Sequence, residues 1–121
     1  MRLTIKATNI THTNAIDTFL HKRMSELEHV LEQEEKSHIA RLDVGKTSKH
    51  RKEGKDIFYA EITLHVKKKD FRAVAKSSDL YTAIDMMRDM IIRDVTRHHA
   101  LSRVRMKKGG REIKKRVKEN L

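Results

Sequence analysis

Several residue types are missing or rare in this 121-residue chain, and their absence narrows its chemistry. The sequence has no cysteine, no proline, no tryptophan and only 4 glycines. Without cysteine there is no disulfide, no thiolate metal ligand and no cysteine nucleophile, and the composition fits a reducing compartment. The lack of proline fits a chain that has no proline-rich linker.

Long apolar runs are also missing. No stretch approaches the roughly 18 apolar residues of a membrane-spanning helix, and residues 1–20 lack the continuous apolar segment of a secretory signal. We therefore expect a cytoplasmic protein without membrane association. The length fits a single domain with one modest core.

Motifs for catalysis are not apparent. The serines and threonines form no nucleophile elbow, and Gly45 and Gly54 lie in a lysine-rich segment without the spacing of a phosphate-binding loop. Asp85 and Asp89 are four residues apart beside arginines, which favours surface ion pairs over acid–base chemistry. We expect no enzyme activity and no small-molecule substrate.

The 8 histidines do not form a metal-binding pattern. His98 and His99 are adjacent, so on a helix their side chains diverge by about 100°. His21 has no histidine four residues away on its helix, the pairing that zinc-binding helices use. We expect no metal and no cofactor, with the imidazoles exposed or facing RNA.

Basic residues are the most prominent feature of the composition. Lysine and arginine number 28 against 17 acidic residues, which gives a net charge of +11 and a pI of about 10.1. So large a charge on a small domain indicates an anionic partner, with nucleic acid as the common case and an acidic membrane surface as its main competitor.

The basic residues are also unevenly distributed. Residues 1–40 carry 5 basic and 6 acidic side chains, residues 41–79 carry 11 and 6, residues 80–100 carry 3 and 3, and residues 101–121 carry 9 and 2. Aromatic residues are only 4% of the chain, so stacking on single-stranded bases is a minor mode at best. Structured RNA, bound through its shape and backbone, is the better expected ligand.

The apolar pattern predicts four strands and two helices. Alternation over Leu3–Ala7, Ala40–Val44, Phe58–Val66 and Phe71–Ala75 predicts the strands, and helical spacing predicts helices over residues 14–32 and 80–106. Each helix has candidate N-caps, Thr13 for the first helix and Ser78 or Asp79 for the second. Gly109-Gly110 is expected to end the second helix, and Phe19, Phe58 and Phe71 are expected in the core.

The element order β-α-β-β-β-α predicts an α+β fold. Strands 2, 3 and 4 are joined by connections too short for a crossover helix, so they should form an antiparallel meander. The simplest way to bury both apolar helix stripes is a two-layer sandwich, a four-stranded sheet with both helices on one face, like a double-stranded-RNA-binding domain. We expect a folded domain over residues 1–106 and a basic, flexible tail over 107–121.

The second helix carries a sequence resemblance. The run Asp79-Leu80-Tyr81-Thr82-Ala83-Ile84-Asp85, followed by a helix that contains Arg93 and Arg97-His98-His99, resembles the pattern of the bacterial ribosome hibernation-promoting factor family, also called the sigma-54 modulation protein family. Residues 10–13 before the first helix, and Arg23 with Leu27-Glu28 within it, are also similar. The resemblance covers about residues 1–100 in the same order.

The resemblance implies a function on the ribosome. It implies binding to the small ribosomal subunit (16S rRNA) and whole ribosomes, in the channel used by messenger and transfer RNA, and silencing of idle ribosomes by steric occlusion. Long members add a C-terminal dimerisation domain. This chain resembles the short form, and we expect it to be monomeric in isolation.

The resemblance and the charge together yield two sets of candidate RNA contacts. The set on the helices and at the end of strand 4 comprises Lys22, Arg23, Lys76, Tyr81, Arg88, Arg93, Arg97 and His98. The set in the loops and the tail comprises Lys49, Arg51, Lys52, Lys67, Lys68, Arg103, Arg105, Lys107 and Lys108. For Tyr81, covering the sheet edge is an equal alternative to contacting RNA.

The second helix also departs from the family pattern. Met90 stands where many members have lysine, Asp94 where glutamine is usual, and Thr96 near a usual basic position, so this helix is less basic than the pattern. Two alternatives stay open, because the α-β-β-β-α order is shared with double-stranded-RNA-binding domains and the older name of the family refers to a sigma factor. One is a general structured-RNA-binding protein, and the other is a regulator that binds a protein, such as a sigma factor.

Overall fold

The computed structural model describes residues 1–31, 38–47, 57–66 and 68–119, with side chains described up to Leu101. Its elements follow the expected order: β1 Arg2–Thr8, α1 Asn14–Val30, β2 His38–Lys46, β3 Phe58–Val66, β4 Lys69–Ser77 and α2 Leu80–Glu119. The α+β class and the β-α-β-β-β-α order predicted from the apolar periodicity are confirmed.

The four strands form one mixed sheet in the order β1-β2-β3-β4. β2, β3 and β4 pair antiparallel, as expected for a meander. β1 pairs with β2 in parallel, so that Leu3 lies beside Ala40 and Ile5 beside Leu42. Parallel pairing requires a crossover connection, and α1 supplies it.

The core lies between the sheet and the helices. The inward residues of β2, β3 and β4 and the apolar stripe of α2 form one buried cluster with α1. Leu20, Met24, Ile62, Ile84 and Met87 are at most 1% exposed, and fully burying a side chain of this size contributes about 1.5–3 kcal/mol. Phe71 is buried as expected, whereas Phe19 and Phe58 are only partly buried and pack against the cluster.

Thr13 is confirmed as the N-cap of the first helix, and Asp79 rather than Ser78 as that of the second. The Thr13 hydroxyl accepts a hydrogen bond from the Ile16 amide at 3.2 Å, and an Asp79 carboxylate oxygen accepts one from the Thr82 amide at 2.9 Å. Each satisfies an amide that has no partner within its helix. α1 ends at Val30 with Leu31 as its C-cap, so the predicted helix was slightly too long, and its predicted last residue, Glu32, lies outside the described residues.

The second helix is longer than predicted. α2 continues through Gly109-Gly110 to Glu119, so the prediction that the glycine pair ends it after Met106 was wrong. A glycine in a helix costs only about 1 kcal/mol relative to alanine, and no proline follows to block the next turn. Glutamate, lysine and arginine, which favour helix, flank the pair and offset this cost.

Within the described part of the chain, no helix is long and apolar enough to cross a membrane. In the same residues, no group of three or more histidine, aspartate or glutamate side chains is placed to bind a metal ion.

Candidate RNA-binding surface

Arg23 and Arg88, both predicted to contact RNA, pair with carboxylates between the two helices. The Arg23 Nε donates to an Asp85 carboxylate oxygen at 2.6 Å, and Arg88 Nη1 donates to Glu26 at 3.0 Å. Arg88 also pairs with Asp89 at 2.8 Å. These five residues form what we call the interhelical network.

The network follows one stripe along each helix. Phe19, Arg23 and Glu26 recur at i, i+4 and i+7 on α1, and Tyr81, Asp85 and Arg88 repeat that spacing on α2. The three cross-helix contacts are Phe19–Tyr81, Arg23–Asp85 and Glu26–Arg88. Because successive residues of α1 contact successive residues of α2 in the same chain direction, the two helices run parallel where they meet.

The electrostatics of Arg88 follow from this arrangement. Partial burial lowers the pKa of its guanidinium, but the hydrogen bond to Asp89 and the charges of Asp89, Glu26 and Asp85 raise it by more. The Arg88 side chain is 18% exposed and that of Arg23 is 21% exposed. Their place in the network is therefore structural, and their role in binding RNA stays a prediction.

Tyr81 packs on α1. Its ring meets that of Phe19 edge to face, with centroids 4.8 Å apart, and the Arg23 guanidinium lies 4.5 Å from the Phe19 ring centroid. Tyr81 is still 37% exposed, so an RNA contact stays open to it.

The predicted contacts Lys22, Arg93 and Arg97 are exposed on the helices. Within the described residues none of the three forms an ion pair. We refer to these three residues as the helix-side cations, and their exposure makes them available to an anionic ligand.

His98 lies between α2 and the first residues of β4. Its ring packs edge to face on Phe71 at 5.5 Å between centroids, and its Nδ1 lies 3.1 Å from the Lys69 Nζ. Lys69 also lies 5.3 Å from the Phe71 ring centroid. The predicted RNA contact His98 is thus half-buried against a lysine that the sequence analysis did not select.

Lys76 lies apart from the other residues of the predicted set on the helices and at the end of strand 4. It lies on β4 with its side chain exposed on the face of the sheet opposite the helices, beside Tyr59 in the register. The predicted contacts therefore do not form one surface, because the sheet lies between Lys76 and the helix-side cations.

The second predicted set is only partly within the described chain. Lys68 is exposed in the turn before β4. Lys49, Arg51, Lys52 and Lys67 lie outside the described residues, and Arg103, Arg105, Lys107 and Lys108 belong to α2 but their side chains are not described.

The structure adds cations that the sequence analysis did not select. Arg2 and Lys6 on β1 and Arg41 on β2 are exposed on the face of the sheet opposite the helices. Their alternation with apolar residues was a signal for an outward position. The parallel β1–β2 register, which brings them together, was not predictable from that alternation.

The same face contains a half-buried polar cluster around Asp43. One Asp43 carboxylate oxygen accepts hydrogen bonds from the Thr8 hydroxyl at 2.9 Å and the Tyr59 hydroxyl at 3.0 Å. Burial raises the pKa of Tyr59 above its ordinary value of 10.0, opposed by the hydrogen bond with Thr8 and assisted by Asp43 and Glu61. The cluster joins β1, β2 and β3 through side chains.

The family model described as "Sigma 54 modulation protein / S30EA ribosomal protein" matches residues 3–103. The chain belongs to this family. Because the match runs from β1 into α2, it includes the interhelical network and all four described strands except Arg2 at the start of β1. The family membership agrees with the resemblance seen at Asp79–Asp85, and the family description names a ribosomal protein.

Solved structures support the fold. The crystal structure of the N-terminal domain of Thermus thermophilus Protein Y matches with a TM-score of 0.66 at 23% identity, covering 81% of this chain and 99% of that one. A ribosomal subunit interface protein from Coxiella burnetii matches with a TM-score of 0.62 at 12% identity, covering 83% of this chain and 99% of that one. A search of curated protein sequences finds no match.

Proposed function

We propose that this protein is a ribosome hibernation factor that binds the small ribosomal subunit in the channel for messenger and transfer RNA. Bound there, it inhibits translation by idle ribosomes. The observation that carries the proposal is the family match over residues 3–103, and the fold shared with a ribosomal subunit interface protein agrees with it.

The charge of the chain supports an RNA ligand. The net charge is +11, and the helix-side cations Lys22, Arg93 and Arg97 are exposed and form no ion pair with another described residue. Lysine and arginine side chains in this state bind phosphate oxygens and position a protein on RNA without reading its bases.

The proposed mechanism is steric occlusion. The rigid sandwich of sheet and helices fills the channel, its cations neutralise phosphates of ribosomal RNA, and translation substrates are excluded. No bond is made or broken, so the inhibitory effect depends on occupancy alone and reverses when the protein dissociates.

The test is co-sedimentation of the full chain with small subunits, large subunits and whole ribosomes, with and without excess RNA duplex. We expect pelleting with small subunits and whole ribosomes that survives the duplex, and inhibition of translation in a cell-free reaction at the same occupancy. Pelleting with large subunits only, or occupancy without inhibition, would overturn the proposal.

A matched pair of variants tests the helix-side cations. Replacing Lys22, Arg93 and Arg97 by glutamine removes three exposed charges and should weaken small-subunit binding by about tenfold or more. The control is Glu61→Gln with Arg72→Gln, because these two side chains pair with each other at 2.7 Å and their joint removal leaves the net charge unchanged.

The same experiment separates the two other functions. Loss of binding to competitor duplex indicates a general structured-RNA-binding protein. A regulator that binds a protein is favoured by the family description, which names sigma 54 modulation. That function requires salt-resistant binding to a sigma factor together with weak binding to ribosomes.

A further inference from the structure

The face of the sheet opposite the helices is covered by no described element, and we call it the open face. Its side chains come from alternate residues of all four strands, and Arg2, Lys6, Arg41 and Lys76 on it are exposed. The helix-side cations lie on the other side of the molecule, because both helices pack on the inward face of the sheet.

Strand register brings three of these cations together. Thr4 pairs with Arg41 across the parallel β1–β2 ladder, so Arg41 lies beside the residue midway between Arg2 and Lys6. With the usual strand separation and rise, the Cα atom of Arg41 is about 8 Å from the Cα atoms of both. We call Arg2, Lys6 and Arg41 the β1–β2 triad.

The acidic residues described on the open face form no ion pair with the triad. Asp43 lies beside Lys6 in the register but accepts its hydrogen bonds from Thr8 and Tyr59. Glu61 pairs with Arg72, and Asp70 with His65. Among the residues that the structure describes, neither a member of the triad nor Lys76 forms an ion pair.

This arrangement contrasts with that of Arg23 and Arg88, whose guanidinium groups are bound by three carboxylates in the interhelical network. A phosphate that bound Arg23 or Arg88 would have to compete with those carboxylates for the same guanidinium N–H groups. Among the described residues, no carboxylate pairs with the triad, so a phosphate would gain its charge-assisted hydrogen bonds there without displacing one of them.

The chemistry of the open face fits an RNA backbone. Three cations that form no ion pair with another described residue are neighbours of Thr4 in the sheet, and the Thr4 hydroxyl can donate to phosphate or to a ribose 2′-hydroxyl. Tyr59 is half-buried and its hydroxyl donates to Asp43, so it offers only part of its ring for base stacking. Val74 is the one large apolar side chain exposed on the described part of this face, too little to enter a lipid surface.

We propose that the open face is a second RNA-binding surface, where the β1–β2 triad binds the phosphate backbone of an RNA segment different from the one bound by the helix-side cations. The domain would then contact RNA on both sides of its sheet. The identification of that RNA as ribosomal rests on the proposed function, whereas the surface itself rests on the charges and the register.

The test compares salt dependence of binding to small subunits and, separately, to a protein-free RNA duplex of 16 base pairs. Replacing Arg2, Lys6 and Arg41 by glutamine should flatten the plot of log affinity against log salt by about two to three, because each lost phosphate contact removes about 0.7–0.9. The charge-neutral variant Glu61→Gln with Arg72→Gln, on the same face, should match the wild type.

A second readout reports contact directly. The chain has no cysteine, so Thr4→Cys introduces a single thiol at the centre of the triad. We expect its alkylation by a small maleimide to slow at least fivefold when RNA is bound, and to recover when high salt releases the RNA. Unchanged alkylation with bound RNA would overturn the proposal, as would a triple variant whose salt slope equals that of the control.

The wild-type protein separates this inference from the proposed function. Binding to the duplex but not to small subunits would overturn hibernation, while the triple variant would still decide the open face on the duplex. Binding to small subunits with a normal slope for the triple variant would keep hibernation and reject the open face. Binding to neither RNA at low salt would reject both.

Discussion

At the scale of the residue, the structure divides chemically identical side chains by what surrounds them. Arg23 and Arg88 donate to carboxylates between the helices, while Arg93 and Arg97 are exposed and form no ion pair with any described residue. Spacing on a helix does not distinguish these situations, because the partner carboxylates of Arg23 and Arg88 come partly from the other helix. Removing Arg23 or Arg88 should therefore lower stability, whereas removing Arg93 or Arg97 should weaken RNA binding.

We expect Arg88→Gln to lower the free energy of unfolding by about 1–2 kcal/mol, between the value of an exposed ion pair and that of a more buried charged hydrogen bond. Arg97→Gln should leave stability within about 0.5 kcal/mol but reduce the salt slope of RNA binding by about one. Urea unfolding and salt-dependent binding measure the two effects. The opposite pattern would mean that Arg88 binds RNA directly.

Tyr59 provides a prediction for pH. Since burial raises its pKa above 10.0 in the folded protein, the unfolded chain ionises first as pH rises. The stability from the protonated phenol is fully present below pH 10.0 and is lost as pH rises through the higher folded value. Urea unfolding of the wild type should weaken more between pH 8 and pH 11 than that of Tyr59→Phe. Equal losses in both would contradict the assignment to Tyr59.

At the scale of the element, close backbone approach constrains β1. Gly45 on β2 lies opposite Thr8 at the end of the parallel ladder, and a Cβ atom built on it would overlap the Thr8 carbonyl group. Glycine is therefore required where the two strands meet most closely. A larger residue must push β1 away, because a backbone carbonyl cannot move aside as a flexible side chain can.

We expect Gly45→Ala to lower the free energy of unfolding by about 2 kcal/mol or more, the upper range of overpacking. Amide hydrogen exchange should show lost protection in β1, with β3 and β4 protected as in the wild type. Ala60→Gly on β3 is a useful comparison, because it removes a buried methyl group and leaves the β1–β2 approach intact. Unchanged exchange in β1 would contradict the steric argument.

The length of α2 leads to another prediction at this scale. Gly109 and Gly110 lie inside the helix, where each glycine costs about 0.5–1 kcal/mol relative to alanine. Replacing both by alanine should increase the helical signal in far-UV circular dichroism and reduce fraying between Arg111 and Glu119. No change in helical signal would mean that the segment after the glycines is not helical in solution.

At the scale of the whole molecule, the positive charge determines how binding depends on salt. With a net charge of +11 and cations on both sides of the sheet, association with RNA should be strongly electrostatic. Each neutralised phosphate releases condensed counterions, and the affinity falls as salt rises.

We expect the affinity for small subunits to fall about a thousandfold between 50 and 200 mM salt if about six phosphates are neutralised. Titrations of labelled protein at four or more salt concentrations measure the slope. A shallow slope in the full chain would reject electrostatic binding.

Truncation after Met106 tests the predicted domain boundary, since a domain over residues 1–106 should keep its fold while losing the basic charges beyond it.

The strands and helices were predictable from the sequence because they depend on residues close together in the chain. Alternating apolar residues specify strands, helical spacing specifies the buried face of α2, and the oxygens of Thr13 and Asp79 mark where the helices begin. Each of these signals depends on neighbours within a few residues along the chain. The end of α2 was not predictable in the same way, because glycine weakens a helix without forbidding it.

Describing the candidate site required both the sequence and the tertiary structure. The sequence alone determined that the chain is basic, free of cysteine chemistry and built as an α+β domain, and the pattern around Asp79–Asp85 indicated its family. Only the tertiary structure decided which cations are available. Ion pairs such as Arg23–Asp85 and neighbours such as Arg41 and Thr4 join residues far apart in the chain, and charge and periodicity contain no information about which distant side chains will meet.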